Sequence, residues 1–228
     1  MNGCVNMAPR RSIERVSRSK QEARDSYDKM STLYDIMALS EKKYNEIGIE
    51  KMQLAEGEHV LEIGSGTGQC LLSMVQIVGS TGTVYGIDIS EGMSRKAHRK
   101  IQDAGLSQRV LLTMGDAAHL PFQSGRFDAI LMTFTLELFD TPEISVVLHE
   151  CFRVLRSGGR MCVVALSKRQ GGTMVTFYEW AHRLLPQYVD CRPIYVQEAL
   201  EDAQFQIMDT TRTAMWGLPL EIVLVQKL

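Results

Sequence analysis

No stretch of the 228-residue chain approaches the ~20 consecutive apolar residues of a membrane-crossing helix, and the amino terminus lacks the apolar core of a secretory leader. The expectation is a cytoplasmic protein whose only membrane contact would be peripheral. An excess of either charge is also missing: 25 Lys and Arg stand against 27 Asp and Glu, a formal net charge of -2. Such a chain has no global attraction to a polyanion, so a nucleic-acid partner is not expected. The five cysteines, Cys4, Cys70, Cys151, Cys162 and Cys191, are odd in number and include no C-x-x-C pair. That argues against a disulfide framework and a structural zinc site, and no metal is expected. What is present is ordinary for a globular protein: 45% hydrophobic and 23% charged residues, enough for one well-filled core.

The chain divides into an arm and a domain. Residues 1–19, with Arg10, Arg11, Arg15 and Arg18 among few apolar positions, cannot repay their ordering by burial and read as a flexible arm. The arm is either a solvated tail or a phosphate- or lipid-binding extension. Residues 20–228 form a single domain. Across 20–52, Tyr27, Met30, Leu33, Tyr34, Met37 and Leu39 recur at helical spacing, predicting a cap of two helices broken near Ser40. Strands are then predicted at HVLEI, TVYGID, VLLTMG, FDAILMTF and RMCVVAL, with helices at Gly68–Val78, Gly92–Ala104 and Pro142–Leu155. Turn signals separate them, including SGG at Ser157–Gly159. This βα alternation implies an α/β, doubly wound, Rossmann-like sheet with helices on both faces. Beyond a lid-like insertion at 168–195, a helix at Val196–Ala203 leads into FQIMDTTRTAM and LPLEIVLVQK, joined through WGLP. Strands joined so closely are antiparallel, so the sheet ends in an antiparallel hairpin.

In a doubly wound sheet, ligands sit beyond the carboxyl ends of the strands where strand order reverses. The segment HVLEIGSGTGQC falls there, with Gly64, Gly66 and Gly68 between strand and helix. Missing side chains there let a ligand lie against backbone N–H groups and the positive helix end. Gln69 stands where a dinucleotide fingerprint wants its third glycine, which disfavours a pyrophosphate cradle. Asp88, ending VYGID, could accept hydrogen bonds from both hydroxyls of a ribose, and Asp116, in MGDAAHLPF, falls at the same edge. Each feature has a plainer reading: the glycines as a tight turn, each aspartate as a helix cap.

VLEIGSGTG, VYGIDISEGM, GDAAHLPFQSGRFDAI and ECFRVLRSGGRM resemble, in order, the motifs of class I S-adenosylmethionine-dependent methyltransferases. The resemblance implies a seven-stranded sheet with a reversed last strand, S-adenosylmethionine as methyl donor and S-adenosylhomocysteine as product. Carried over by position, Gly64, Ser65, Gly66, Thr67 and Gly68 would pack against the amino-acid part of the donor, supported by Glu62. Asp88 would hold the ribose, Ile89 and Met93 would flank the adenine, and Asp116 with Ala117 would address its exocyclic amine. Thr133 and Phe134 would border the methyl-transfer site.

The acceptor is less legible. TFTLELFD contains neither N-P-P-Y nor D-P-P-F, which resemble the clamp of base-amino methyltransferases. Glu137, Asp140 and His149 are each candidates for a base, or else an exposed turn acid, a helix cap before Pro142 and a helix-surface residue. YDKMSTLYD, Tyr27–Asp35, resembles the entrance helix of the menaquinone and ubiquinone C-methyltransferases, which would bring Tyr34 to the methyl donor; its tyrosines also suit a packing helix. PIYVQEALEDAQFQI resembles the same subgroup, with Gln204 where those sequences have glycine. TMVTFYEWAHRLLPQYV, with Tyr178 and Trp180, is either core or an acceptor lid. The expected reaction is methyl transfer to a small hydrophobic acceptor, with a quinone-precursor ring carbon favoured and Tyr34, Glu137 and Tyr178 as catalytic candidates. The alternatives are a lipid-head-group or metabolite amine, or a non-catalytic donor-binding regulator. The expected assembly is a monomer or homodimer.

Overall fold

The computed structural model describes residues 21, 22, 24, 40–169 and 191–228. The proposed arm, most of the first cap helix and most of the lid-like insertion lie outside these residues. Residues 40–52 are helical (α1). They are followed by β1 (His59–Ile63), α2 (Gln69–Ile77), β2 (Thr83–Asp88), α3 (Glu91–Asp103), β3 (Val110–Met114) and β4 (Phe127–Thr133). A 3-10 turn (Leu136–Leu138), α4 (Thr141–Val154), β5 (Leu155–Leu166), α5 (Val196–Asp202), β6 (Gln206–Met215) and β7 (Leu218–Gln226) complete the fold.

The seven strands form one sheet in the order β3-β2-β1-β4-β5-β7-β6. β7 pairs antiparallel with both β5 and β6, whereas β1 to β5 pair in parallel. The expected architecture and hairpin are therefore present, with only β7 reversed. Strand composition follows from double coverage. In β4, Ile130 and Met132 enter the core under α4 and α5, while Ala129 and Leu131 enter the core under α2 and α3.

Helix ends are set locally. Ser90 caps α3 by accepting from the Met93 amide, after which Met93, Ala97 and Ile101 form its buried stripe. Asp140 caps α4 and Pro142 sits in its first turn; Ile144, Val147, Leu148, Cys151 and Val154 face inward. α1 lies close against the sheet, because a Cβ on Gly48 would stand 3.0 Å from Val164 Cγ2. Its end is pinned by Arg160, which donates to the Met52 carbonyl and makes two bonds to the Glu58 carboxylate, at 2.8 and 2.7 Å.

Two local expectations change. Ser157–Gly159 does not interrupt the chain as a separate turn; it lies within β5. There the pairing jumps from Phe127–Leu155 to Ala129–Arg160, and Gly158 takes φ 72°, so the glycine signal marks an irregularity inside a strand. Gln204 adopts φ 69° just after α5, the left-handed conformation that explains why glycine suits this position.

Candidate active site

Parallel register brings the candidate residues to one rim. Ile63 pairs with Ile87 and with Met132, and Asp88 pairs with Met114, so the carboxyl ends of β1, β2, β3 and β4 are level. Strand order reverses between β1 and β4, which places the glycine turn at the switch point. Asp88 and Asp116 lie at this edge and are both partly exposed.

The turn is tied to β2. Gly64 and Ser65 donate to the Ile87 carbonyl, at 2.9 and 3.2 Å, and the Gly66 amide donates to Asp88 Oδ2 at 2.8 Å. Asp88 Oδ1 accepts from the Ser90 amide at 2.8 Å. The carboxylate thus organises the loop through one oxygen and the start of α3 through the other. Gly64 is required on two counts: its φ is 72°, and an added Cβ would fall 2.2 Å from Thr135 Oγ1. Gly66 is half-buried, while Ser65 and Thr67 are buried; Lys100 Nζ donates to Thr67 Oγ1 at 3.1 Å.

Glu62 lies beneath this loop, 2% exposed. Burial pushes its carboxyl from 4.5 up to about 8, the charge of Asp88 adds to the rise, and bonds to the Cys70 side chain and Leu71 backbone oppose it. The group is therefore chiefly a neutral acid at pH 7. Its Oε2 has no hydrogen-bond partner among the described residues. Burial and the neighbouring Glu62 in turn raise the Cys70 thiol well above its ordinary value; Cys70 also bonds to the Thr133 side chain. A polar thread, Glu62 to Cys70 to Thr133, links the base of the turn to the end of β4.

Asp116 Oδ1 accepts from the Ala118 amide at 2.9 Å, and the exposed His119 ring lies 4.0 Å from Oδ2. Ile89 is half-buried; Met93 and Ala117 are buried. Phe134 is 6% exposed with φ 49°, and its amide donates to the Val164 carbonyl at 2.8 Å. Asp140 is the helix cap, bonded to the Thr141 amide at 2.8 Å, and His149 lies exposed on α4. Glu137 corrects the reading as an exposed turn acid: it is fully buried, and its Oε1 accepts from the Leu166 amide at 3.2 Å. The polar side chain goes inward because the end of β5 supplies a backbone donor 29 residues away. Tyr34 and Tyr178 lie outside the described residues.

Three contributors escaped the sequence reading. Thr135 fills the space Gly64 leaves open, Cys70 joins Glu62 to Thr133, and Arg192 is 1% exposed in the interior. Each acts through a partner distant in sequence; only the TFT run at the end of β4 hints at the first. A turn cleared of bulky side chains, a buried carboxyl oxygen open to a donor, and two rim aspartates suit a small, polar, cationic nucleoside.

Residues 11–191 match the ubiE/COQ5 methyltransferase family. The chain belongs to that family. It is similar to the demethylmenaquinone methyltransferase of Anoxybacillus flavithermus, with 28% identity over 174 residues, 76% of this chain and 71% of the relative. The corresponding protein of Oceanobacillus iheyensis is 31% identical over 155 residues, 68% of this chain and 63% of the relative. The chain thus spans somewhat under two thirds of the second relative's length. A S-adenosylmethionine-dependent methyltransferase structure from Aquifex aeolicus shares the fold, with a TM-score of 0.62 and 24% identity over 81% of this chain and 89% of that one. Membership makes the chain a S-adenosylmethionine-dependent methyltransferase. Among the described residues, no helix is long and apolar enough to cross a membrane.

Proposed function

We propose that the enzyme methylates a ring carbon of a small hydrophobic quinol, of the type named for its demethylmenaquinone-methylating relatives. The observation that carries this reading is the convergence of the glycine turn, Glu62, Asp88 and Asp116 at the strand-order reversal, in a chain of this family. S-adenosylmethionine, when bound, supplies an electrophilic methyl carbon on a positively charged sulfur and leaves as the neutral thioether. Gly64, Ser65, Gly66, Thr67 and Gly68 would receive its amino-acid end, with Glu62 beneath. Asp88 would hold the ribose; Ile89, Met93, Asp116 and Ala117 would hold the adenine.

The acceptor's ring carbon would form the new carbon–carbon bond as the methyl–sulfur bond broke, and the ring would pass the proton from that carbon to solvent as it regained aromaticity. The chain's task is alignment and exclusion of water, worth several kcal/mol when the reacting atoms are held near contact. Thr133 and Phe134 would border the transfer, with Tyr34 and Tyr178 closing over it. Glu137 would fix the loop that carries this border through the Leu166 amide.

Incubation with methyl-labelled donor and a one-prenyl naphthoquinol lacking the ring methyl is expected to yield a labelled, solvent-extractable quinol. Label found instead on a lipid amine would replace the ring-carbon acceptor. Donor binding with no labelled product in a metabolite extract would leave a regulatory role.

A further inference from the structure

The loop between β4 and α4, residues 134–140, is the part of the rim that would face an acceptor, and it is held from several directions. Phe134 donates to the Val164 carbonyl, Thr135 Oγ1 donates to the Thr133 carbonyl at 2.8 Å, and Glu137 receives the Leu166 amide. These bonds fix its first half to β4 and β5. Its second half is held by Arg192, whose guanidinium donates to the Phe139 carbonyl and, at 3.3 Å, to Thr141 Oγ1. Arg192 is itself anchored next to the sheet. Ile194 forms a parallel bridge with Ser167, the Ile194 amide donates to the Leu166 carbonyl at 3.0 Å, and the Lys168 amide donates to the Ile194 carbonyl at 2.9 Å.

Leu166 is thus a shared reference point. Its amide fixes Glu137 and its carbonyl fixes Ile194, so both ends of the loop are referenced to the last residue of β5. Taking a guanidinium out of water costs several kcal/mol unless its donors are satisfied, so a purely mechanical tie would be made more cheaply by an apolar side chain. A planar fork can bind a carbonyl and a hydroxyl at once, a geometry that neither a methionine nor a single ammonium reproduces.

We propose that Arg192 is a positioning residue for the acceptor, setting the loop 134–140 against the end of β5 so that the acceptor meets the donor methyl in line. This deepens the proposed function and rests on it for the nature of the acceptor. The residue acts through Phe139 and Thr141 rather than on the reacting atoms. It lies one position beyond the stretch that matches the family.

The test compares wild type, Arg192→Met, Arg192→Lys and the milder Thr141→Val. Donor affinity is measured by calorimetry, amide hydrogen exchange is followed across 134–141, and turnover is measured on the prenyl naphthoquinol. Arg192→Met is expected to speed exchange in 134–141 while leaving β1 and β2 protected. It should also keep donor affinity within twofold and lower kcat at least tenfold. Arg192→Lys should recover part of kcat, and Thr141→Val should shift exchange in the same loop without loss of the fold. Unchanged exchange in 134–141 for both Arg192→Met and Thr141→Val would overturn the proposal, as would a fall in donor affinity parallel to the fall in kcat. If the wild type binds donor but does not methylate the naphthoquinol, the acceptor assignment fails, and the exchange pattern still decides whether Arg192 sets the loop.

Discussion

Replacing Glu62 by glutamine should make the protein more stable near neutral pH, although it removes the carboxyl beneath the glycine turn. Burial holds the folded-state carboxyl near 8, against 4.5 when free. Between those values the native state binds more protons than the unfolded chain, so stability falls as pH rises. The contribution is fully present below pH 4.5 and is lost as pH climbs through about 8. Each pH unit in this interval is worth about 1.4 kcal/mol, so the cost at pH 7 is roughly 3 kcal/mol. Glutamine preserves the shape and carries no such cost. Urea denaturation from pH 5.5 to 7.5 should show wild type losing roughly 2.5 kcal/mol relative to Glu62→Gln, with groups common to both proteins cancelling. A cationic donor should favour ionised Glu62, so wild-type donor affinity should rise with pH toward 8 and the variant's should stay flat. Parallel stability curves for the two proteins would refute the neutral-acid assignment.

Asp88→Ala removes the acceptor of both the Gly66 and Ser90 amides, and the loss of such paired bonds is worth roughly 1–3 kcal/mol. Donor affinity by calorimetry should fall about 10- to 100-fold, and an unchanged value would remove Asp88 from the site. Gly64→Ala places a methyl against Thr135 at a backbone angle that disfavours it, and should cost roughly 2–4 kcal/mol of unfolding free energy. Adding Thr135→Ala should restore only part of this, because Thr135 Cβ itself stands 2.9 Å from the added carbon. Burial raises the thiols of Cys70, Cys151 and Cys162, so a Cys4→Ser, Cys191→Ser variant should resist a disulfide-exchange reagent at pH 8 until denatured. Rapid labelling of the native variant would show that these sites open.

The sheet was legible because its strands are continuous apolar runs separated by glycine, a pattern imposed by burial on two faces. The rim was legible in part for the same reason: Gly64, Asp88 and Asp116 each follow a recognisable strand, and parallel register does the rest. Where sequence reasoning failed, the partner was distant. Glu137 reads as a loop acid until β5 brings the Leu166 amide to it, and nothing in the sequence singles out Arg192 until the bridge at Ile194 places it in the interior. Ser157–Gly159 failed differently: glycine with φ above zero serves a turn and an irregular strand equally, and only pairing on both sides distinguishes them. The aspartate at the end of β2 reads from sequence as a ligand contact or a helix cap, yet it also serves the chain itself, since it holds the Gly66 amide in place.

Because β7 lies between β5 and β6, the last strand closes the sheet. β6 precedes β7 in the chain, yet among the described residues its strand neighbour is β7 alone. Until β7 inserts, β5 keeps an open hydrogen-bonding edge and β6 has nothing to pair with, and one insertion satisfies both. A chain cut at the WGLP corner would therefore expose two unpaired strand edges at once and should associate with copies of itself.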